Sequence, residues 1–264
     1  MARLSLPFRL LLSILLAGVA GPAAAGEVAC VFEAGMIVAP AEVAGIPGDY
    51  VLDTGSPQTL LHETKAQHEG IDTTELTGGV SLAGVAIAPV TVGVADLDAR
   101  TWNLPTPVAG VIGADALKGY VVDVSYAPCR VRLSAPGKAP RFAGRTLDLA
   151  WDEGRPTAAA AVADDAHEVR GAFVVATGAD VGVRLADDLA QTPGAAKPNE
   201  LYPEGAWLAR LPVLRFGGAT GRDVAAGLMK PQGEVVGVIG GPVLAHFRLR
   251  FDFPAGKLVV AQAP

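Results

Sequence analysis

The chain is poor in charge, in aromatic rings and in cysteine. Charged residues make up 18% and aromatics 6%, yet half of its 264 residues are hydrophobic, which excludes an intrinsically disordered chain. Lys and Arg never form a run, and the formal net charge is −6. Read from sequence alone, that argues against nucleic acid and an anionic membrane surface as partners. Only two cysteines occur, Cys30 and Cys129, and they form no Cys-x-x-Cys pair, so zinc and dithiol redox chemistry have no support. The four histidines (His62, His68, His167, His246) lack metal-ligand spacing. No Gly-x-Ser-x-Gly elbow is present. The pairs Gly78-Gly79, Gly217-Gly218 and Gly240-Gly241 lead into no nucleotide-site features and read as turns. No metal and no cofactor are expected.

Long apolar runs are also missing, with one short exception at the start. Arg3 and Arg9 give a positive lead-in, Leu10 to Ala20 is apolar, and Ala23-Ala24-Ala25 offers a small-residue cleavage site. The apolar stretch is short for a membrane span. Residues 1–25 read as a signal peptide, with an uncleaved anchor as the alternative, and the protein as periplasmic or secreted. Cleavage would move the charge from −6 to −8, that is 19 basic against 27 acidic residues. In an oxidising compartment Cys30 and Cys129 suggest one disulfide, with two buried thiols as the alternative. Such a bridge would close a loop of roughly 100 residues, worth about 4–5 kcal/mol in the chain-entropy model.

What the chain has in quantity is Gly (32) and Pro (20), set between short Val, Ile and Leu runs. That pattern predicts an all-β chain. Met36 to Val43 and Tyr50 to Asp53 read as strands around a turn at Gly45 to Asp49. Leu60 to His68 reads as a short helix, and Val80 to Val94 alternates in β fashion. Val108 to Leu117 is an apolar strand that ends in glycine and enters a short helix. Tyr120 to Tyr126 and Arg130 to Leu133 make a closing hairpin. Pro136 to Gly144 reads as a linker, giving units at 26–140 and 141–264.

The second unit repeats the order of the first. Phe173-Val174-Val175-Ala176-Thr177-Gly178 lies over Tyr50-Val51-Leu52-Asp53-Thr54-Gly55, an offset of 123 residues. Val238-Ile239-Gly240 lies over Val111-Ile112-Gly113, an offset of 127. Phe247 to Phe253 and Lys257 to Val260 repeat the closing hairpin. An apolar strand entering X-Thr-Gly, followed later by an apolar-apolar-Gly strand, occurs twice.

This arrangement resembles the aspartic protease superfamily, specifically bacterial retropepsin-like proteins with two tandem units. The resemblance covers essentially the whole chain after residue 25. It implies two closed β units, retropepsin- or pepsin-like, facing each other across a central cleft. Short helices would follow the Asp-Thr-Gly and apolar-Gly strands. It would place Asp53 at the cleft centre, with Thr54 and Gly55 locking the loop to its counterpart. Ile112 and Gly113 would support it from beneath, and the Ser56 hydroxyl would bond the carboxylate. Read without the resemblance, Asp53 is a strand-end carboxylate capping a turn.

The implied chemistry uses two carboxylates about 3 Å apart that share one proton, one activating water and the other polarising the scissile carbonyl. Here Ala176 stands at the second position, with Thr177 and Gly178 retained. Hydrolysis of a peptide or unfolded protein therefore requires a second Asp from elsewhere, as in a homodimer. The alternative is a non-catalytic module that binds peptide or protein in the retained cleft. Asp180 is a weak substitute, four residues on, and Asp115 and Asp123 read as polar anchors at strand ends. Thr74 to Gly79 outlines a flap over the cleft. Tyr202, Gly205 and Trp207 offer either a second clamp or a surface aromatic cluster.

Overall fold

The computed structural model describes residues 25–163, 168–186, 199–201, 206–230 and 232–263. The segment read as a signal peptide lies outside the described residues except for Ala25. Tyr202, Gly205 and His167 also lie outside them.

The first half contributes β1 (Ala25–Ala29), β2 (Val31–Glu33), β3 (Met36–Val43), β4 (Ile46–Leu52) and β5 (Leu60–His62). Then come α1 (Glu63–His68), β6 (Glu75–Leu82), β7 (Val85–Ala95), α2 (Asp98–Thr101) and β8 (Gly110–Ile112). It closes with α3 (Ala114–Leu117), β9 (Val121–Tyr126) and β10 (Cys129–Ser134). The second half runs β11 (Arg145–Asp148), β12 (Ala150–Asp152), β13 (Arg155–Ala163), β14 (Glu168–Ala176), β15 (Val183–Ala186) and β16 (Asn199–Leu201). It continues with β17 (Ala206–Phe216), β18 (Ala219–Met229), β19 (Gly237–Gly240), α4 (Gly241–Leu244), β20 (Phe247–Asp252) and β21 (Lys257–Gln262).

Each half closes a six-stranded barrel, and the two rings have the same order. In the first, β3-β4-β8-β5-β7-β6 returns to β3 through the pairing of Ala41 with Leu82. In the second, β13-β14-β19-β15-β18-β17 returns to β13 through Val162 and Leu214. Closure satisfies the edge hydrogen bonds that an open sheet would leave bare. The sequence repeat is therefore a repeat of topology. Segments left over from both halves form a third sheet, β1-β10-β9-β20-β21-β11. Its central joint is β9 against β20, where Val122 opposes Phe251 and Val124 opposes Leu249.

The strands that carry the two X-Thr-Gly loops are apolar on both faces because both faces are covered. Leu52 enters the large core while Val51 packs with Met36, Val38, Leu97 and Val111. Val175 enters the same large core while Val174 and Ala176 pack with Val235. Each strand runs parallel to its apolar-Gly partner: β4 to β8, and β14 to β19. A parallel strand with two buried faces reads as a continuous Val/Ile/Leu run, as these do.

Three details differ from the sequence expectations. The turn between β3 and β4 is Ala44-Gly45, both with positive φ (52° and 80°), so β4 starts at Ile46 rather than at Tyr50. A two-residue turn of this kind matches the twist of the strands it joins. Leu60–His62 is a strand, and only Glu63–His68 is helical. Thr74 to Gly79 forms no flap: Glu75–Leu82 is a barrel strand paired with β7 and β3. Gly78 there lies against Ala44, whose Cβ would sit 2.5 Å from a Cβ added at 78. Cys30 and Cys129 are joined by a disulfide that ties the β1–β2 junction to the start of β10. Among the described residues no helix is long and apolar enough to cross a membrane.

Candidate functional site

The two X-Thr-Gly loops meet at the contact between the barrels and lock together through their threonines. Thr54 Oγ1 donates to the carbonyl of Val175 (2.5 Å), and Thr177 Oγ1 donates to the carbonyl of Leu52 (2.6 Å). Each hydroxyl also accepts the other threonine's backbone N–H, at 3.1 and 3.2 Å. Both threonines are fully buried. A buried hydroxyl that donates once and accepts once is satisfied, so the four bonds form a closed unit with no unpaired group.

The glycines permit this approach. A Cβ at Gly55 would lie 2.4 Å from the Cβ of Ala176, and a Cβ at Gly178 would lie 2.4 Å from the Cβ of Asp53. Neither glycine has a positive φ. They are required by the distance between two loops, not by backbone conformation.

Asp53 sits at the end of β4, 5% exposed. Its own N–H donates to the carbonyl of Ile112 (3.0 Å), which fixes it to β8. Gly113 N–H donates to Thr59 Oγ1 (3.1 Å), and Thr59 in turn donates to Asp115 Oδ1 (2.8 Å). Ile112 and Gly113 thus support the loop, and Asp115 anchors the support. One carboxylate oxygen, Oδ1, accepts from Gly55 N–H at 2.7 Å and from Gly178 N–H at 3.1 Å. Both barrels therefore hold the same oxygen. The Ser56 hydroxyl does not bond the carboxylate; it donates to the carbonyl of Gln58 (2.8 Å), where it closes the turn after the glycine.

The other oxygen, Oδ2, is bonded by Nη2 of Arg100. Arg100 lies on α2, in the stretch between β7 and β8. Leu97 anchors that stretch in the small core beside Met36 and Val51. His62 on β5 braces it further, with Nε2 placed 3.1 Å from Asp98 Oδ1. Its Nδ1 accepts from Thr64 N–H (3.3 Å), which leaves the ring proton on Nε2, facing Asp98. His62, Asp96 and Asp98 bring donor atoms within 4.8 Å of one another, a grouping that the sequence spacing hid. With Nδ1 bonded by Thr64 N–H and Nε2 against Asp98, both ring nitrogens are used within the protein, and the group serves as a brace for α2.

Opposite Asp53 stands Ala176, 3% exposed, a methyl where a second carboxylate would be needed. Asp180 lines the same cleft but is paired with Arg184 (2.8 Å). Asp123 belongs to the third sheet, where Arg250 holds it. The cleft is about 570 Å³ and mixes apolar walls (Met36, Val174, Val238) with Arg155 and Arg184. Arg155 is buried and held by Asp152 (2.7 Å) and Gln232 (2.9 Å). Volumes of this size suit a ligand segment of a few residues. One side chain near the cleft had no signal in the sequence: Arg100 lies in no motif, and nothing at the corresponding point of the second half marks it. Beside it, Trp102 is 70% exposed.

No family model matches the chain, and no curated protein matches it. Among solved structures it is similar to an aspartic proteinase from Irpex lacteus, with a TM-score of 0.56 and 15% identity, over 91% of this chain and 98% of that one. At that identity the likeness concerns the fold: two closed β-barrels in tandem with few short helices.

Proposed function

We propose that the protein binds an extended peptide or an unfolded protein segment in the cleft between its barrels and does not hydrolyse it. The fold of an aspartic proteinase supports the cleft. The observation that carries the rest is the pairing around Asp53: a methyl at Ala176 faces it, and Arg100 occupies its outward oxygen. Hydrolysis by two carboxylates needs one ionised group to take a proton from water and one protonated group to bond the scissile carbonyl. Asp53 alone can fill only one role at a time. Arg100 also bonds Oδ2, so part of that oxygen's capacity to hold a water is already taken.

A second reading keeps the chain as an exported aspartic-type endopeptidase. The intact Asp53-Thr54-Gly55-Ser56 run favours it. A second Asp53 would then come from another copy, with the first barrels of two chains facing each other. That exchange requires release of the Thr54–Thr177 lock within each chain, since Thr177 already fills the partner position. The N-terminal segment 1–25 and the disulfide support an exported, periplasmic or secreted location under either reading, with units at 26–140 and 141–264.

The deciding test incubates purified protein with casein, a permanently unfolded substrate, from pH 3 to pH 7. Saturable binding without new termini supports the binding module. Cleavage that is lost in Asp53→Asn and stopped by pepstatin supports the endopeptidase.

A further inference from the structure

The sequence contains no basic run, yet the fold assembles a basic face. It lies on the third sheet, on the side turned away from the core. Alternation along β9, β10 and β20 sends Val124, Val131 and Leu249 inward and leaves Asp123, Ser125, Arg130, Arg132, Arg248 and Arg250 on the other face. The register sorts them into two rows. The first row reads Glu27, Arg132, Asp123, Arg250 across β1, β10, β9 and β20. It alternates in sign and is internally satisfied: Arg132 pairs with Glu27, and Arg250 makes a two-pronged contact with Asp123 at 2.6 and 2.7 Å.

The second row has no acid. Arg130 opposes Ser125, and one more step of the β9–β20 register opposes Ser125 to Arg248. The Ser125 hydroxyl is turned to the carbonyl of Pro128 (2.6 Å). Arg141 joins from the linker. Among the described residues, none of Arg130, Arg141 and Arg248 has a carboxylate partner, and all three are exposed. They surround a hollow of about 190 Å³. Its floor is rigid. Arg250 is buried, bonded to Asp123 and to the carbonyl of Pro140 (2.7 Å), and the Phe142 ring lies under the guanidinium groups of Arg250 and Arg248, at 4.9 and 5.5 Å. Five arginines against two carboxylates give this hollow a local charge of +3 on a chain whose total is −6.

We propose that this hollow binds a phosphate group. Strands flanking β9 are roughly 10 Å apart, so the arms of Arg130 and Arg248 can close on one ion held above Ser125. Guanidinium groups match the oxygens of phosphate in two-pronged fashion, and three converging cations suit a dianion better than a carboxylate. None of these residues lines the cleft, so the site does not depend on what the cleft does. The phosphate is either free or carried by a lipid head group.

The test is calorimetric titration of the whole protein with inorganic phosphate at low ionic strength, alongside acetate. Co-sedimentation with phosphatidylglycerol and phosphatidylcholine vesicles forms the second arm. One saturable phosphate site is expected, with acetate at least tenfold weaker and with at least tenfold loss in R130A/R248A. Each single variant, R130Q and R248Q, should show part of that loss. A melting temperature unchanged from wild type shows that the variants are folded. Co-sedimentation with phosphatidylglycerol alone, abolished by the same substitutions, assigns the phosphate to a lipid. Binding of neither, acetate binding as tight as phosphate, or binding untouched by R130A/R248A overturns the proposal.

Discussion

Arg100 donates to one oxygen of Asp53 while the amides of Gly55 and Gly178 hold the other. The carboxylate is thus gripped by three segments of one chain, two from the first barrel and one from the second. The guanidinium is 31% exposed and the carboxylate 7%, so the pair is partly screened. Arg100→Met should destabilise the protein by about 1–3 kcal/mol, because it leaves a buried carboxylate with only backbone donors. Asp53→Asn in that background should then cost little more, since the amide keeps an oxygen for the two N–H groups. Urea unfolding of the four members of this cycle measures the coupling. Additive losses would show that the two groups do not interact.

The threonine lock predicts losses that add. Thr54→Val or Thr177→Val alone strands a buried carbonyl and a buried N–H, at a cost of about 2–3 kcal/mol. Each hydroxyl serves a different pair of backbone groups, so the double substitution strands all four and should cost about the sum of the singles. Denaturant midpoints of the singles and the double check this.

Gly178→Ala tests the closeness of the loops. The added methyl meets Asp53 Cβ at 2.4 Å and Val51 Cγ1 at 2.9 Å. Overpacking of this degree costs about 1–3 kcal/mol or more. The same change at Gly45, which has open space around it but φ of +80°, should cost about 1 kcal/mol from backbone strain alone. Thermal melts of the two variants separate crowding from conformation.

Alkaline pH should weaken the fold through Tyr126. Burial, and then the charge of Asp53, raise its phenol well above the ordinary value near 10. Below about pH 10 the folded and unfolded chains both keep the proton. Above it the unfolded chain loses the proton first, so stability falls as pH rises. The hydroxyl has no hydrogen-bond partner among the described residues. Tyr126→Phe should therefore match or exceed wild-type stability at pH 7 and show a shallower decline above pH 10. Urea midpoints at pH 7, 10 and 11 provide the comparison.

The repeat made much of this legible. Asp53-Thr54-Gly55 and Ala176-Thr177-Gly178 align because each ends an apolar strand at a turn that carries the same Thr-Gly pair. Their offset of 123 residues is also the separation of the two threonines that bond across the lock. Arg100 was not legible, because its contact is made by a stretch between β7 and β8 that carries no repeating pattern. The role of Ser56 is not legible, because sequence order does not show which acceptor a hydroxyl beside a turn takes, and in the fold it takes the carbonyl of Gln58. Thr74 to Gly79 outlines a flap only through the resemblance, and the local sequence does not mark it as a barrel strand. In the fold Gly78 lets β6 pass close to Ala44. The arginine face is not legible in the sequence, because Arg130 and Arg248 are 118 positions apart and meet only through the β9–β20 joint.

The central claim is that the cleft binds without cutting. Its most direct test is a count of new amino termini released from casein by wild-type protein and by Asp53→Asn, read beside the binding affinity of each. Equal release at background level from pH 3 to pH 7, with saturable binding by both, is the predicted result. Release by wild type that exceeds Asp53→Asn and is blocked by pepstatin would contradict it.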